Sequence, residues 1–290
     1  MTARTGDGGE RVGLGERRRA GGIVASAFER ATAVEPLGDG AWHATCNGAW
    51  ATQLGANGGF LAAIVLRAMI AQLDDPAREA RSLTCHYLRP PDMGDLRVEV
   101  ALEREGRTMS TLSARVTQGG RLCILAVAAF AIELNGAVDY AGAPPRAPAP
   151  EDVERLAPPP DVPIVAQFDV RPTLGGEPYS GAPEAVTGGW LRFAESQPLD
   201  APALAMYADA WLPSPMPLLN RPALAPTVDL TVHFRAPAAA AEIVDEHVLA
   251  VFRSSTAAGG LFEEDGELWS PDGVLLAQSR QLALLLADPR

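Results

Sequence analysis

The five residues Leu83-Thr84-Cys85-His86-Tyr87 return later in the chain as Leu230-Thr231-Val232-His233-Phe234. Arg and Pro follow both copies, as Arg89-Pro90 and as Arg235 then Pro237. The offset, 230 − 83 = 147, is about half of the 290 residues, which points to a duplicated unit. The surroundings agree. An apolar, helix-like segment precedes each copy: GGFLAAIVLRAMIAQL at Gly58–Leu73 and APALAMYADAWL at Ala201–Leu212. Period-2 segments follow each copy. Val98, Val100 and Leu102 alternate with polar neighbours, as do Leu112, Ala114 and Val116, and the run Leu122–Ile132 comes next. His247–Arg253, Phe262–Ser270 and Val274–Leu286 fill the same slots in the second half, with Pro271-Asp272-Gly273 as a hairpin turn.

Each half therefore reads as a strand, a helix and four strands. The first helix is apolar nearly all round, with only Arg67 and Gln72 polar, so it is expected to be wrapped by its sheet. An antiparallel sheet curled around one long helix is the hotdog arrangement. The predicted fold is α+β: a double hotdog, with two antiparallel sheets each wrapped around a central helix to form one pseudo-dimeric unit. The expected boundaries are a disordered leader over 1–22, an N-terminal hotdog over 23–134, a Pro/Ala-rich linker over 135–163 and a C-terminal hotdog over 164–290. The linker sequence, NGAVDYAGAPPRAPAPEDVERLAPPPDVP, is too rich in proline for regular helix or central strand.

Composition narrows the function. Apolar residues make up 47% and mean hydropathy is +0.03, ample for a packed core. With 36 acidic and 24 basic residues the formal charge is −12, so no nucleic-acid or anionic-membrane partner is expected. All the basic residues are Arg. The absence of Lys excludes a Walker P-loop lysine, a pyridoxal-phosphate Schiff base and a kinase-type lysine. Cys46, Cys85 and Cys123 are too scattered for a disulfide framework or a zinc site, and the four histidines form no H-E-x-x-H. The apolar runs are too short to span a membrane. The Arg-rich N-terminus has no apolar core of the kind a secretory signal needs, so a cytoplasmic location is expected.

The polar residues that interrupt the second half are the candidates for chemistry. Asp209 lies within an apolar helical pattern, either as a solvated face or as a general base tuned by partial burial. Thr227 opens a strand in which Val228, Leu230, Val232 and Phe234 alternate with Thr227, Asp229, Thr231, His233 and Arg235. Gln281 interrupts the last apolar strand. Aligning Gly120 with Gly273 puts Ala128 in the slot of Gln281, so the first half has no amide there. What the first half has instead is Asn57-Gly58-Gly59 at a helix start, either a capped turn or a set of free N–H groups able to hold an oxyanion. GANGGF does not fit G-x-G-x-x-G, and no G-x-S-x-G occurs. His86 and His233, at equivalent positions, are read as structural or interface residues.

These stretches resemble the double-hotdog acyl-CoA thioesterases of the bacterial type II class. The resemblance rests on GANGGFLAAIVLRAM, SLTCHYLRPPDMGDLRVEVALEREGRTMSTLSARVTQGGR and AAF in the first half. In the second it rests on MYADAWLP, PTVDLTVHFRAP and PDGVLLAQSRQ. It implies that Asp209, Thr227 and Gln281 bind the attacking water, with Gln278 a weaker substitute for Gln281. It also implies that the thioester carbonyl is met near Asn57, Gly58 and Gly59. The chain departs from the pattern by one residue before Asp209, and by Asn-Gly-Gly-Phe where the type II enzymes carry a Gly-Gly-Gln form. The implied activity is hydrolysis of an acyl-CoA to free acid and CoA, with no metal or redox cofactor and with further assembly into a homodimer or higher homo-oligomer. A non-catalytic acyl-CoA binding module is the alternative. A hotdog enoyl-thioester hydratase would need an Asp/His pair that neither helix carries.

Overall fold

The computed structural model describes residues 25–237, 240 and 242–287. The leader expected over 1–22 lies outside the described residues. The first half opens with a short helix α1 (Ala27–Ala31), which no pattern announced. It is set by a capping box: Ser26 accepts from the Glu29 N–H while the Glu29 carboxylate accepts from the Ser26 N–H. Then come β1 (Glu35–Gly38), β2 (Ala41–Cys46), the short β3 (Ala51–Thr52) and β4 (Gly55–Ala56), helix α2 (Gly58–Leu73), and β5 (Glu79–Tyr87), β6 (Gly94–Glu105), β7 (Met109–Gln118) and β8 (Arg121–Ala131). The second half has β9 (Phe168–Gly175), β10 (Val186–Phe193), α3 (Ala201–Tyr207), the short β11 (Ala223–Leu224), β12 (Thr227–Phe234), β13 (Val248–Arg253), the short β14 (Ala257–Ala258), β15 (Leu261–Trp269), β16 (Leu275–Leu284) and β17 (Leu286–Ala287).

The large strands form one antiparallel sheet in the order β1-β2-β6-β7-β8-β5-β12-β16-β15-β13-β10-β9. The two matched pentapeptides lie on β5 and β12, the neighbours at its centre. Thr84 pairs with Thr231, and their hydroxyl oxygens are 3.0 Å apart. The internal two-fold thus passes through the repeat that the sequence displays. The sheets of the two halves are joined through this pair into one continuous sheet, and two strands of that sheet, not one, precede each helix.

Helix α2 is buried from Gly59 to Met69 except at Arg67. The Arg67 guanidinium is matched by Asp200, the N-cap of α3, at 2.9 Å. Helix α3 is shorter than the expected Ala201–Leu212 and ends at Tyr207. The backbone then tightens: the Asp209 N–H donates to Met206 O (3.2 Å) and the Ala210 N–H to Tyr207 O (3.3 Å). Pro213, Pro215 and Pro217 downstream cannot continue a helix. Asp209 therefore stands on a turn just past the helix rather than inside it. Phe28, Trp50, Phe60, Phe168, Phe193 and Tyr207 interlock across the two halves, with Phe193 and Tyr207 centroids 4.8 Å apart.

The segment 135–163 contains no strand. It is fastened to the second half: Trp190 Nε1 donates to Pro148 O (2.8 Å), and Arg171 donates to Pro150 O (2.6 Å) and Val153 O (3.3 Å). Arg171 is in turn held by buried Asp169 (3.1 Å), with Arg192 on the same carboxylate (3.2 Å). Among the described residues no helix is long and apolar enough to cross a membrane.

Candidate active site

Two groups of polar residues lie on the inner side of the sheet. The first joins the halves. Asn57 caps α2, its Oδ1 accepting from the Phe60 N–H (2.9 Å). Its Nδ2 donates to the Asp209 carbonyl (2.8 Å) and to Asp209 Oδ2 (3.0 Å). The Gly59 N–H donates to the same Oδ2 (2.9 Å), and the Tyr87 hydroxyl donates to Gly58 O (2.7 Å). The approach is close at both glycines, against backbone at Gly59 and against side chains at Gly58. A Cβ on Gly58 would sit 2.9 Å from Asp209 Oδ2, and one on Gly59 would sit 2.8 Å from Met206 O. The N–H groups at the start of α2, expected to face a substrate carbonyl, thus hold the Asp209 carboxylate.

Burial pushes the Asp209 carboxyl up to about 6, against the pull of the Gly59 and Gly58 N–H groups and of Asn57. An acid so placed is still ionised at neutral pH, and it is a stronger base than a surface aspartate.

The second group comes from β12, β15 and β16. Thr227 Oγ1 donates to Gln281 Oε1 (3.0 Å), and Gln281 Nε2 donates to Glu264 Oε1 (2.5 Å). Glu264 Oε2 accepts from the Ser214 N–H (2.5 Å). The sequence pattern put Thr227 on the face opposite Leu230, and the structure corrects this. Thr227 pairs with Ala283 and Asp229 with Leu282, so Val228 is bulged out. The extra residue returns Thr227 to the inner face, beside Gln281. Gln278, three positions before Gln281, falls on the opposite face, pairing with Glu267 and His233. His86 and His233 are exposed.

Sequence reasoning missed Glu264. It is 4% exposed, and its carboxyl is pushed up to about 7 by burial and secondarily by the Asp209 charge, against the bonds from Ser214 and Gln281. That electrostatic contact links the two groups, although no hydrogen bond joins them among the described residues. Alternation could have revealed Glu264. It lies in phase with Phe262 and Leu268, on the buried register of β15.

Glu264 should also leave a mark on stability. Its folded pKa is raised above the ordinary 4.5, so the folded chain holds the proton more tightly than the unfolded one. The wild type should therefore lose stability relative to Glu264→Gln as pH rises from 4.5 to 7, by up to about 3 kcal/mol. Denaturant melts of both proteins across this window test it. A pH-independent gap would contradict the assigned burial of charge.

An unbroken antiparallel sheet through two pseudo-symmetric halves, each keeping one helix on its inner side, defines the double-hotdog class. Residues 47–131 match the acyl-CoA thioesterase N-terminal domain family, and residues 143–285 match the acyl-CoA thioesterase C-terminal domain family. The chain belongs to the double-hotdog acyl-CoA thioesterase family. It is similar to a conserved hot dog fold protein of unknown function from Alicyclobacillus acidocaldarius, at 29% identity, 91% and 100% coverage of the two chains and a TM-score of 0.86. An acyl-CoA thioesterase II from Mycobacterium marinum shares the fold at 21% identity, with 91% and 99% coverage and a TM-score of 0.72. An uncharacterised protein of Mycobacterium tuberculosis is 26% identical over 296 residues, covering 90% of this chain and 99% of the relative.

Proposed function

We propose that this chain hydrolyses an acyl-CoA thioester to the free acid and CoA, with Asp209 as the general base. The observation that carries this reading is the Asp209 carboxylate itself: partly buried, pushed up to about 6, and gripped from across the seam by Asn57 and the Gly59 N–H. Asp209 takes a proton from a water whose oxygen attacks the thioester carbon. Collapse of the tetrahedral intermediate breaks the C–S bond, and the sulfur leaves as thiolate and is protonated to the thiol. Thr227 donates its hydroxyl hydrogen to Gln281, so its lone pairs are free to accept from that water. Gln281 keeps a second N–H to donate. Asn57 and the Gly59 N–H at the positive end of α2 hold the Asp209 carboxylate, so they orient the base rather than receive the substrate carbonyl.

The test is thiol release from short, long and aromatic acyl-CoAs. Turnover of at least one of them is the expected result. Acyl-CoAs that raise the melting temperature and are not turned over would replace this reading with a binding module.

A further inference from the structure

The internal repeat shows what the fold alone requires at the position of Glu264. Gln281 stands opposite Leu230 and Glu264, and Ala128 stands opposite Leu83 and Leu112. Leu83 and Leu230 are equivalent in the repeat, so Leu112 is the counterpart of Glu264. Leu112 and Ala128 are 0% and 1% exposed. The same slot in the same fold is thus filled by plain core. A buried carboxylate in place of Leu is costly for stability, and packing gives no reason for it.

The chemistry of its neighbours does give one. The Ser214 N–H is a backbone donor and cannot reverse. Above about pH 7, where Glu264 is ionised, it has only acceptors, so it takes Ser214 on Oε2 and requires a donor on Oε1. Gln281 must therefore turn Nε2 toward Glu264 and Oε1 toward Thr227. The Thr227 hydroxyl must then donate to Gln281. The orientation of the amide follows from this order of donors and acceptors.

We infer that Glu264 is a positioning residue that sets the direction of the hydrogen-bond chain Ser214–Glu264–Gln281–Thr227, so that Thr227 turns its lone pairs to the reacting water. The inference rests on the thioesterase reading for its catalytic consequence, though not for the direction of the chain. In Glu264→Gln the direction reverses. The amide oxygen of the substituted side chain takes the Ser214 N–H and its NH₂ faces Gln281. Gln281 then flips, and Thr227 becomes an acceptor whose hydrogen points at the water.

The experiment measures thiol release at about pH 8, where Glu264 is mostly ionised, by wild type, Glu264→Gln, Gln281→Ala and the double variant, using whichever acyl-CoA of the panel the wild type turns over fastest. In parallel, the ¹⁵N–¹H resonances of the Gln281 side-chain amide are identified by their loss in Gln281→Ala. Glu264→Gln is expected to lower kcat by about 10–100-fold with little change in KM. In the Gln281→Ala background the same substitution should change kcat by less than about twofold, because its effect passes through the missing amide. The Gln281 amide resonances should move in Glu264→Gln. Unmoved resonances, or the full loss of kcat retained in the Gln281→Ala background, would overturn the inference. A wild type that hydrolyses no acyl-CoA would count against the proposed function, and the resonances would still decide the direction of the chain. Should Glu264→Gln fail to fold, Glu264→Asp serves instead. It keeps both acceptors, so the amide resonances should persist with shifts smaller than those produced by Glu264→Leu.

Discussion

Asp209→Asn is expected to lower kcat by about 10²–10⁴-fold, the range lost when a positioned base is removed. The substitution is nearly isosteric. The Asn oxygen can take the place of Oδ2 and accept from the Gly59 N–H and Asn57 Nδ2, so the seam between the halves should survive. What disappears is the basicity. Folding should suffer little, because the variant no longer buries a charge that the wild type must bury above about pH 6. A melting temperature equal to or above that of the wild type at about pH 8, together with the loss of thiol release, is the expected pair of results. In the wild type, kcat/KM should climb as pH rises through about 6, where Asp209 of the free protein ionises. Undiminished turnover by the variant would remove Asp209 from the role of base.

Gly59→Ala should have the largest effect on stability. Its Cβ would lie 2.8 Å from Met206 O, 3.0 Å from Ala205 O and 3.0 Å from Asp209 Cβ. Two of these atoms are backbone of α3 and cannot swing aside. Overpacking of this kind costs about 2–3 kcal/mol, or about 4–10 °C in Tm for a chain of this size. It should also separate α2 from α3 and carry Asp209 away from its donors, so kcat falls as well. Gly58→Ala provides the contrast. Its Cβ meets the Asp209 Oδ2 side-chain atom at 2.9 Å and the Tyr87 ring at 3.2 Å. Here the carboxylate can turn away, so turnover should drop while Tm changes less. Thermal melts and thiol release on both variants test the difference. An unchanged Tm in Gly59→Ala would mean that the two helices are not packed this tightly.

The parts of this structure legible in the sequence were those governed by repetition and by period. The pentapeptide repeat located the central strands, and its threonines turned out to pair with one another. The four long strands after each helix followed from alternation, and the wrapped helix from Gly58–Leu73 being apolar nearly all round. Local patterning failed where one residue breaks a period. A single bulged residue, Val228, carried Thr227 to the other face, and no side-chain pattern marks a bulge. The length of α3 was overestimated because its apolar composition runs past Tyr207, whereas the turn there depends on prolines and on Asn57, 152 residues away. Glu264 was passed over as one of several acids in LFEEDGELW. Only its phase distinguishes it from Glu263 and Asp265.

The placement of Asp209 has a consequence for how the site comes together. The carboxylate belongs to the second half and the groups that grip it belong to the first, so the proposed catalytic geometry exists only while the halves are docked. In two separate polypeptides that docking would be bimolecular, and its occupancy would decline on dilution. Here the halves share one polypeptide, and Trp190 and Arg171 fix the connecting segment along its course. Tethers of this sort typically impose an effective concentration on the order of millimolar. The site is therefore assembled to the same extent whether the cell holds many copies of the protein or very few.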